Sequence, residues 1–179
     1  MNTVHSSRES RKTFLTFFFT REKLFLAFLM NRCTKGAVRL VFDHLEKKLG
    51  TYEFLTLFEH LLTDRGSEFG DPGSLETGIC NIERTSIYYC DPMHSGPKDG
   101  VENSHTLLHM VLPEGTSFEF LTQWDLNLIM SHINGTPKQS LNGRVALETF
   151  SENTLKAPQL RRIDPDEVNL TPKLIRFNH

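Results

Sequence analysis

Two carboxylates stand at places in the sequence where acids commonly act on a ligand. Asp64 ends an apolar segment typical of a strand, and Gly66 follows two residues later. Glu102 lies just after Gly100, in the first turn of a predicted helix. Strand ends that run into loops are where α/β domains place their sites, and carboxylate oxygens suit Mg²⁺ and Mn²⁺. The pair therefore predicts a divalent metal site. The alternative is that Asp64 only forms a turn and Glu102 only complements the helix dipole.

A second set of potential ligands contains histidines and cysteines. His105 and His109 lie four residues apart on the predicted Glu102 helix, which places them on one face. Further candidates lie upstream: Cys80, Cys90 and His94. The set lacks the close paired spacing of a zinc knuckle and the His-Glu-x-x-His order. A polar stripe beside the acidic site is therefore the favoured interpretation, and a structural zinc protein is the weaker alternative.

The hydropathy pattern predicts the elements that must position these residues. Thr13–Thr20 and Leu24–Met30 are apolar runs separated by Arg21–Lys23. Each run is far shorter than the roughly 20 residues that span a bilayer, so we expect no membrane span. Two buried strands joined by a charged turn, a β-hairpin, explain the pattern better.

The rest of the chain alternates between strand and helix signals. A short extended piece over Met1–Val4 precedes the hairpin. Thr122 and Asp125 approximate a capping box at the start of one helix. The predicted strands are Phe58–Thr63 and Ser86–Cys90, and the predicted helices are Thr34–Leu49, Val101–Leu112 and 122 to about 133, with a helical turn at Ala146–Phe150. This order favours an α/β domain with a mixed sheet. Trp124 and the phenylalanines are predicted to be core residues: Phe14, Phe17, Phe18, Phe19, Phe25 and Phe28.

Composition and charge limit the possible classes of protein. The 179 residues are 38% hydrophobic and 23% charged, which is typical of a globular chain. Three sparse cysteines do not suggest a disulfide framework, so we expect a cytoplasmic protein. The net charge is −2, but residues 1–48 carry ten basic and four acidic side chains. A basic first third is compatible with a DNA-facing surface, and uneven solvated charge is the alternative.

Several motifs, in order, resemble those of DDE transposases and integrases. Leu62–Phe69 (LTDRGSEF) is similar to their second-acid motif, and Tyr89–Pro92 with Lys98–Asn103 resembles their third-acid segment. Ile133–Pro137 and Leu141–Gly143 resemble their C-terminal stretch. Over residues 1–150 the chain is most similar to bacterial insertion-sequence transposases with a retroviral-integrase-like catalytic core.

The resemblance implies a ribonuclease-H-like fold, a mixed sheet flanked by helices, in which three acids bind two Mg²⁺ or Mn²⁺ ions. Such enzymes cut DNA at the ends of a mobile element and use the freed 3′-hydroxyl to attack target DNA. The resemblance therefore implies that DNA and further copies of the chain are its partners. It also implies a bacterial cytoplasmic protein that acts at the nucleoid. Asp64 would be the second acid and Glu102 the third, both as metal ligands. Lys98 and His94 would contact DNA; solvated loop residues are the alternative.

The position of the first acid departs from the pattern. A Met-Asp-Thr-Val segment is expected, and the chain has Met1–Val4 with Asn2 in the acid's place. An amide is neutral and offers a metal one carbonyl oxygen. We therefore expect a weakened two-ion site and impaired catalysis. The alternative is a non-catalytic DNA-binding or oligomerisation module derived from a transposase. If another acid replaces the missing one, Glu9 and Glu68 are the nearest candidates in the sequence.

The resemblance also predicts how the chain is divided. Residues 1–150 are expected to form the integrase-like catalytic core, from which the N-terminal DNA-binding region of relatives is absent. Residues 151–179 are polar and punctuated by prolines, and we interpret them as a C-terminal extension. The family's Thr-Pro that starts a late helix is replaced by Val145 and Ala146.

Overall fold

A computed structural model describes residues 1–7, 10–90, 106, 108, 109 and 111–155. The strands are β1 (Asn2–His5), β2 (Thr13–Phe19), β3 (Leu24–Met30), β4 (His60–Thr63) and β5 (Ser86–Tyr89). The helices are α1 (Lys35–Leu49), α2 (Thr51–Leu57), α3 (Pro72–Glu76), α4 (Gln123–Gly135) and α5 (Ala146–Leu155), with 3₁₀ turns at Ser67–Phe69 and Gln139–Leu141.

The strands form two small sheets. β1, β2 and β3 are antiparallel in that order, and β2 and β3 form the predicted hairpin, with Phe19 opposite Leu24. β4 and β5 are parallel, with His60 opposite Ser86. The α/β class predicted from the sequence is confirmed. A single mixed sheet was expected, but the strands of the described residues form two sheets, one antiparallel and one parallel. The ribonuclease-H-like arrangement stays a prediction.

The antiparallel sheet is buried on both faces, which explains why its hairpin is apolar throughout. Side chains alternate along a strand, so Phe14 and Phe25 face one core and Leu15 and Phe17 face the other. The first core lies against α4 and also contains Leu126, Ile129, Met130 and Ile133. The second core lies against α1 and also contains Val38, Phe42, Phe54 and Phe58. The predicted burial of the phenylalanines is correct, although Phe18, Phe19 and Phe28 are only partly buried.

One side chain predicted to lie in the core is exposed. Trp124 has 65% of its surface open to solvent, and the neighbouring Phe120 has 93%. Trp124 is the second residue of α4, and the buried face of this helix begins only at Leu126. Its assignment to the core was therefore wrong.

Helix α4 contacts both a face and an edge of the antiparallel sheet. The capping box predicted at its start is present: Thr122 Oγ1 accepts from Asp125 N, and Thr122 N donates to Asp125 Oδ2. Asn134 Oδ1 accepts from Phe25 N at 2.9 Å, and its Nδ2 donates to Phe25 O at 2.7 Å. Similarly, Gln123 Oε1 accepts a hydrogen bond from Leu29 N, and Gln123 Nε2 donates one to Ala27 O. Two amide side chains thus satisfy the outward backbone groups of β3.

Helices α1 and α3 and the segment leading into β5 are joined by a buried arginine. The Arg84 side chain is fully buried and donates to Asp43 Oδ1 at 2.6 Å and Glu46 Oε2 at 2.9 Å. Its Nε also donates to Leu75 O, and its guanidinium lies over the Phe42 ring. This network holds the parallel sheet against α1.

The two apolar runs of the sequence form the strands β2 and β3. Within the described ranges, none of the helices has the length and apolar character needed to cross a bilayer.

Candidate functional site

The first strand begins beside the end of β4, which brings Asn2 toward Asp64. The Met1 amine donates to Leu62 O at 2.5 Å, one residue before β4 ends. Burial lowers the pKa of this amine to about 6, although the charges of Cys90 and Asp64 act in the opposite direction. The carboxyl end of β4, the residue that follows β5 and the start of β1 are therefore neighbours.

The side-chain oxygen of Asn2 is used locally. Asn2 Oδ1 accepts a hydrogen bond from Thr3 N at 2.8 Å, and its backbone carbonyl accepts one from Thr16 Oγ1 at 3.0 Å. An amide has a single carbonyl oxygen with two lone pairs, so one lone pair accepts from Thr3 N and the other stays available to a cation. Asn2 therefore sits where the resemblance expects the first acid, but it offers one neutral ligand position in place of a carboxylate.

Asp64 is exposed at the start of a tight turn. Its Oδ1 accepts from Gly66 N at 2.9 Å, which is the local bond that Asp commonly makes in turns. A Cβ on residue 66 would lie 2.7 Å from Glu68 Oε2 and 3.0 Å from Asp64 Oδ1. Glycine is therefore needed at this position for the two carboxylates to approach each other.

Glu68 is the buried acid of this turn, with 8% of its surface exposed. Thr3 Oγ1 donates to Glu68 Oε1 at 2.5 Å. Burial by itself raises the pKa of Glu68, but donors from Thr3, its own backbone and Cys33 outweigh this effect and lower the pKa below its ordinary value. Glu68 therefore stays an acceptor-rich carboxylate inside the fold, close to β1.

His5, Cys33 and Glu68 converge at this place. One potential ligand atom from each residue lies within 4.8 Å of the other two. Burial and the adjacent Glu68 carboxylate raise the pKa of the Cys33 thiol. Of these three residues, the sequence points only to Glu68, as a substitute for the missing acid. His5 and Cys33 carry no signal in the sequence, because their meeting depends on β1 lying beside the connection from β3 to α1.

A cleft of about 310 Å³ lies along β1. Its lining includes Asn2, His5, His109 and Phe118. His109 is helical and belongs to the segment in which the sequence predicted the Glu102 helix. This is where a ligand could reach Asn2 from the side of that segment.

Several predicted site residues lie outside the described part of the chain. These are the third acid and the residues grouped with it: His94, Lys98, Glu102 and His105, as well as Glu9. Cys80, from the zinc alternative, is an exposed free cysteine. The convergence of Asp64 with Glu102 therefore stays a prediction.

Comparison with known proteins gives an independent indication of ancestry. No protein-family model matches the chain. The transposase of insertion sequence element IS1086 from Cupriavidus metallidurans is 30% identical over 98 residues. The transposase of IS4351 from Bacteroides fragilis is 24% identical over 96 residues. The chain is related to insertion-sequence transposases.

The relationship covers a limited part of each protein. Both alignments include 54% of this chain, but only 27% and 28% of the two transposases. The resemblance to transposases is confirmed at this level. The integrase-like core, the three acids and the metal ions remain predictions.

Proposed function

We propose that the chain is the phosphoryl-transfer core of a transposase and acts on DNA of a mobile element, with activity weakened by Asn2. The contact that best supports this is the bond from the Met1 amine to Leu62 O, because it sets Asn2 beside β4, the strand that Asp64 follows. The relationship to two transposases supports the same function. DNA ends and target DNA would be its substrates, and copies of the chain would assemble on them.

The described residues fit a divalent cation only in part. Asp64 supplies an exposed carboxylate suited to Mg²⁺ or Mn²⁺, and we propose Glu102 as the second. Asn2 supplies one neutral oxygen that already accepts from Thr3 N. When bound, such ions would activate a nucleophilic oxygen and stabilise the leaving oxygen. Two carboxylates balance less charge than three, so we expect weak binding.

The turn after Asp64 gives the carboxylate its orientation. The Gly66 N–H holds Asp64 Oδ1 in place and leaves Oδ2 for a ligand. Lys35, at the start of α1, donates from Nζ to Gly70 O at 3.4 Å, so a cationic side chain lies at the end of the 3₁₀ turn that follows Gly66. In this proposal Asp64 holds the cation, and Lys35 adds to the attraction of the DNA backbone.

Calorimetric titration with Mn²⁺ tests the proposal. The full chain should bind Mn²⁺ weakly, and Asn2→Asp should bind it markedly more tightly because a carboxylate replaces the engaged amide. Adding Glu102→Gln to Asn2→Asp should remove that gain. Asn81→Asp is the matched control, since Asn81 is exposed in another loop and the substitution adds the same charge. Equal Mn²⁺ affinity in Asn2→Asp and Asn81→Asp would contradict the proposal.

A non-catalytic module is the second candidate, and the bond between Asn2 Oδ1 and Thr3 N favours it. In that case the amide is a structural residue, and DNA binding is independent of the ion. Fluorescence anisotropy of a labelled DNA duplex distinguishes the two. The module is supported by two results together. DNA binding should be unchanged by Mn²⁺, and Asn2→Asp should not produce Mn²⁺-dependent cleavage of the duplex.

A further inference from the structure

We propose that His5, Cys33 and Glu68 form a zinc site with a ligand set of its own, next to the turn that carries Asp64. The three residues come from the end of β1, the connection between β3 and α1, and the 3₁₀ turn that follows β4. Their ligand atoms lie within 4.8 Å of one another. This differs from the zinc interpretation of the sequence, which involved other histidines and cysteines.

The donor set suits Zn²⁺ better than Mg²⁺ or Ca²⁺. Imidazole nitrogen, thiolate sulfur and carboxylate oxygen are its usual ligands, whereas the hard cations favour oxygen alone. Zn²⁺ binding would displace the proton of the Cys33 thiol to solvent. The resulting thiolate and the Glu68 carboxylate would then balance the two positive charges, and a buried ion requires such compensation. Glu68 meets this condition most clearly, because it is buried and Thr3 Oγ1 fixes one of its oxygens.

The geometry needs only a small adjustment. Bonds of about 2.0–2.3 Å in a tetrahedral arrangement place ligand atoms roughly 3.5 Å apart. In the structure, the ligand atoms of the three residues lie within 4.8 Å of one another, which is somewhat wider. His5 is exposed and can change rotamer, whereas Glu68 is held by Thr3. His5 is therefore the ligand most able to adjust its position when an ion binds.

Three protein ligands leave a fourth position of the tetrahedron for water. The ion would join β1 to the turn that contains Glu68, and Gly66 and Asp64 precede Glu68 in that turn. We therefore infer that zinc stabilises the arrangement of the Asp64 turn against β1. This conclusion does not depend on the chain having transposase activity.

The competing explanation is a metal-free hydrogen-bond cluster. Thr3 already donates to Glu68 Oε1, and the Cys33 thiol interacts with the same carboxylate. Such a cluster satisfies the buried groups without an ion. Only direct measurement of thiolate–metal bonding separates the two.

Cobalt substitution is the first experiment. Full-length chain stripped with a chelator should bind one equivalent of Co²⁺ and give the thiolate-to-cobalt charge-transfer band and the visible bands of tetrahedral cobalt. Zn²⁺ should displace it. Cys33→Ser should abolish the charge-transfer band. His5→Gln should weaken binding by at least about tenfold, since loss of even a supporting partner of a zinc ligand has effects of that size.

Matched controls keep the test specific. Cys80→Ser removes an exposed free cysteine elsewhere, and His60→Gln removes an exposed histidine on β4; both should leave the cobalt spectrum unchanged. In the unaltered chain, Zn²⁺ should also protect Cys33, but not Cys80, from alkylation, as measured by mass spectrometry of the peptides. This readout remains if Cys33→Ser does not fold.

Three results would overturn the proposal. The first is the absence of a charge-transfer band in the unaltered chain, which would leave the hydrogen-bond cluster as the explanation. The second is a band that persists in Cys33→Ser, and the third is equal alkylation of Cys33 with and without Zn²⁺.

Discussion

Asn2 and Glu68 show what one side chain can and cannot reveal in a sequence. The place of Asn2 could be predicted, because it lies in a motif of fixed order. The surroundings of Glu68 could not, because Thr3 approaches it only through the fold, from a distant part of the chain. Asp64 was recognised from its motif, and its bond to Gly66 N is local in sequence. Contacts between distant residues account for what was missed, including His5 and Cys33.

The depressed pKa of Glu68 predicts a loss of stability in acid. A carboxyl group whose pKa is lowered in the folded state stabilises the fold above its ordinary pKa of 4.5, and this contribution is lost as the pH falls toward the folded value. The free energy of unfolding should therefore fall below about pH 4.5 in the unaltered chain. Glu68→Gln should show a smaller fall, and at pH 7 should be about 1–3 kcal/mol less stable.

Urea unfolding at a series of pH values measures this effect. Glu83→Gln is the control, because Glu83 is exposed. The linkage argument fails if Glu68→Gln loses stability in acid as steeply as the unaltered chain does.

Individual elements were predicted well where their signal is local. Helix α1 begins after Thr34, whose side chain accepts from Ala37 N, and ends at Gly50, as its sequence indicates. Helix α2 was missed and the strand β4 was predicted to begin at Phe58, two residues too early. The α2 segment, TYEFLTL, is rich in residues that favour strands, and the burial of Phe54 against α1 decides its conformation. Packing therefore overrides propensity there.

The Arg84 network predicts the largest loss of stability among these substitutions. Arg84→Met leaves the buried Glu46 carboxylate without its cation, although Thr51 and Ile79 N still donate to it. Removing one partner of a buried ion pair costs about 3–5 kcal/mol. Denaturant unfolding should show this loss, and adding Glu46→Gln should recover part of it.

A surface arginine provides the comparison. Arg144 is paired with Glu152 near the chain surface, and Arg144→Met should change the free energy of unfolding little. An Arg84→Met variant as stable as Arg144→Met would show that the buried network contributes no net stability.

At the scale of the whole molecule, β2 lies at the centre of the fold. It pairs with β1 on one side and β3 on the other, and it contributes to both cores. The α/β class followed from the order of strand and helix signals. The division into two sheets did not, because strand pairing depends on contacts that hydropathy does not encode.

Hydrogen exchange should show this central role. The amide of Leu15 should exchange only through global unfolding, because β2 is paired on both sides at this residue, with Thr3 opposite it in β1 and Phe28 opposite it in β3. Amides of β5 should exchange sooner, since β4 is its only strand partner within the described ranges. Native-state exchange in low denaturant measures both, and faster exchange in β2 than in β5 would contradict this view of the fold.

The hydrogen bonds from the side-chain amides of α4 to the backbone of β3 affect the solubility of the folded protein. An open strand edge can template pairing with a second molecule. The hairpin strands, TFLTFFF and LFLAFLM, carry no charge and have the composition of amyloid-forming segments. By bonding both backbone groups of Phe25, Asn134 makes part of this edge unavailable to another chain. Partial detachment of α4 would thus create an aggregation nucleus before any strand of the sheet had unfolded.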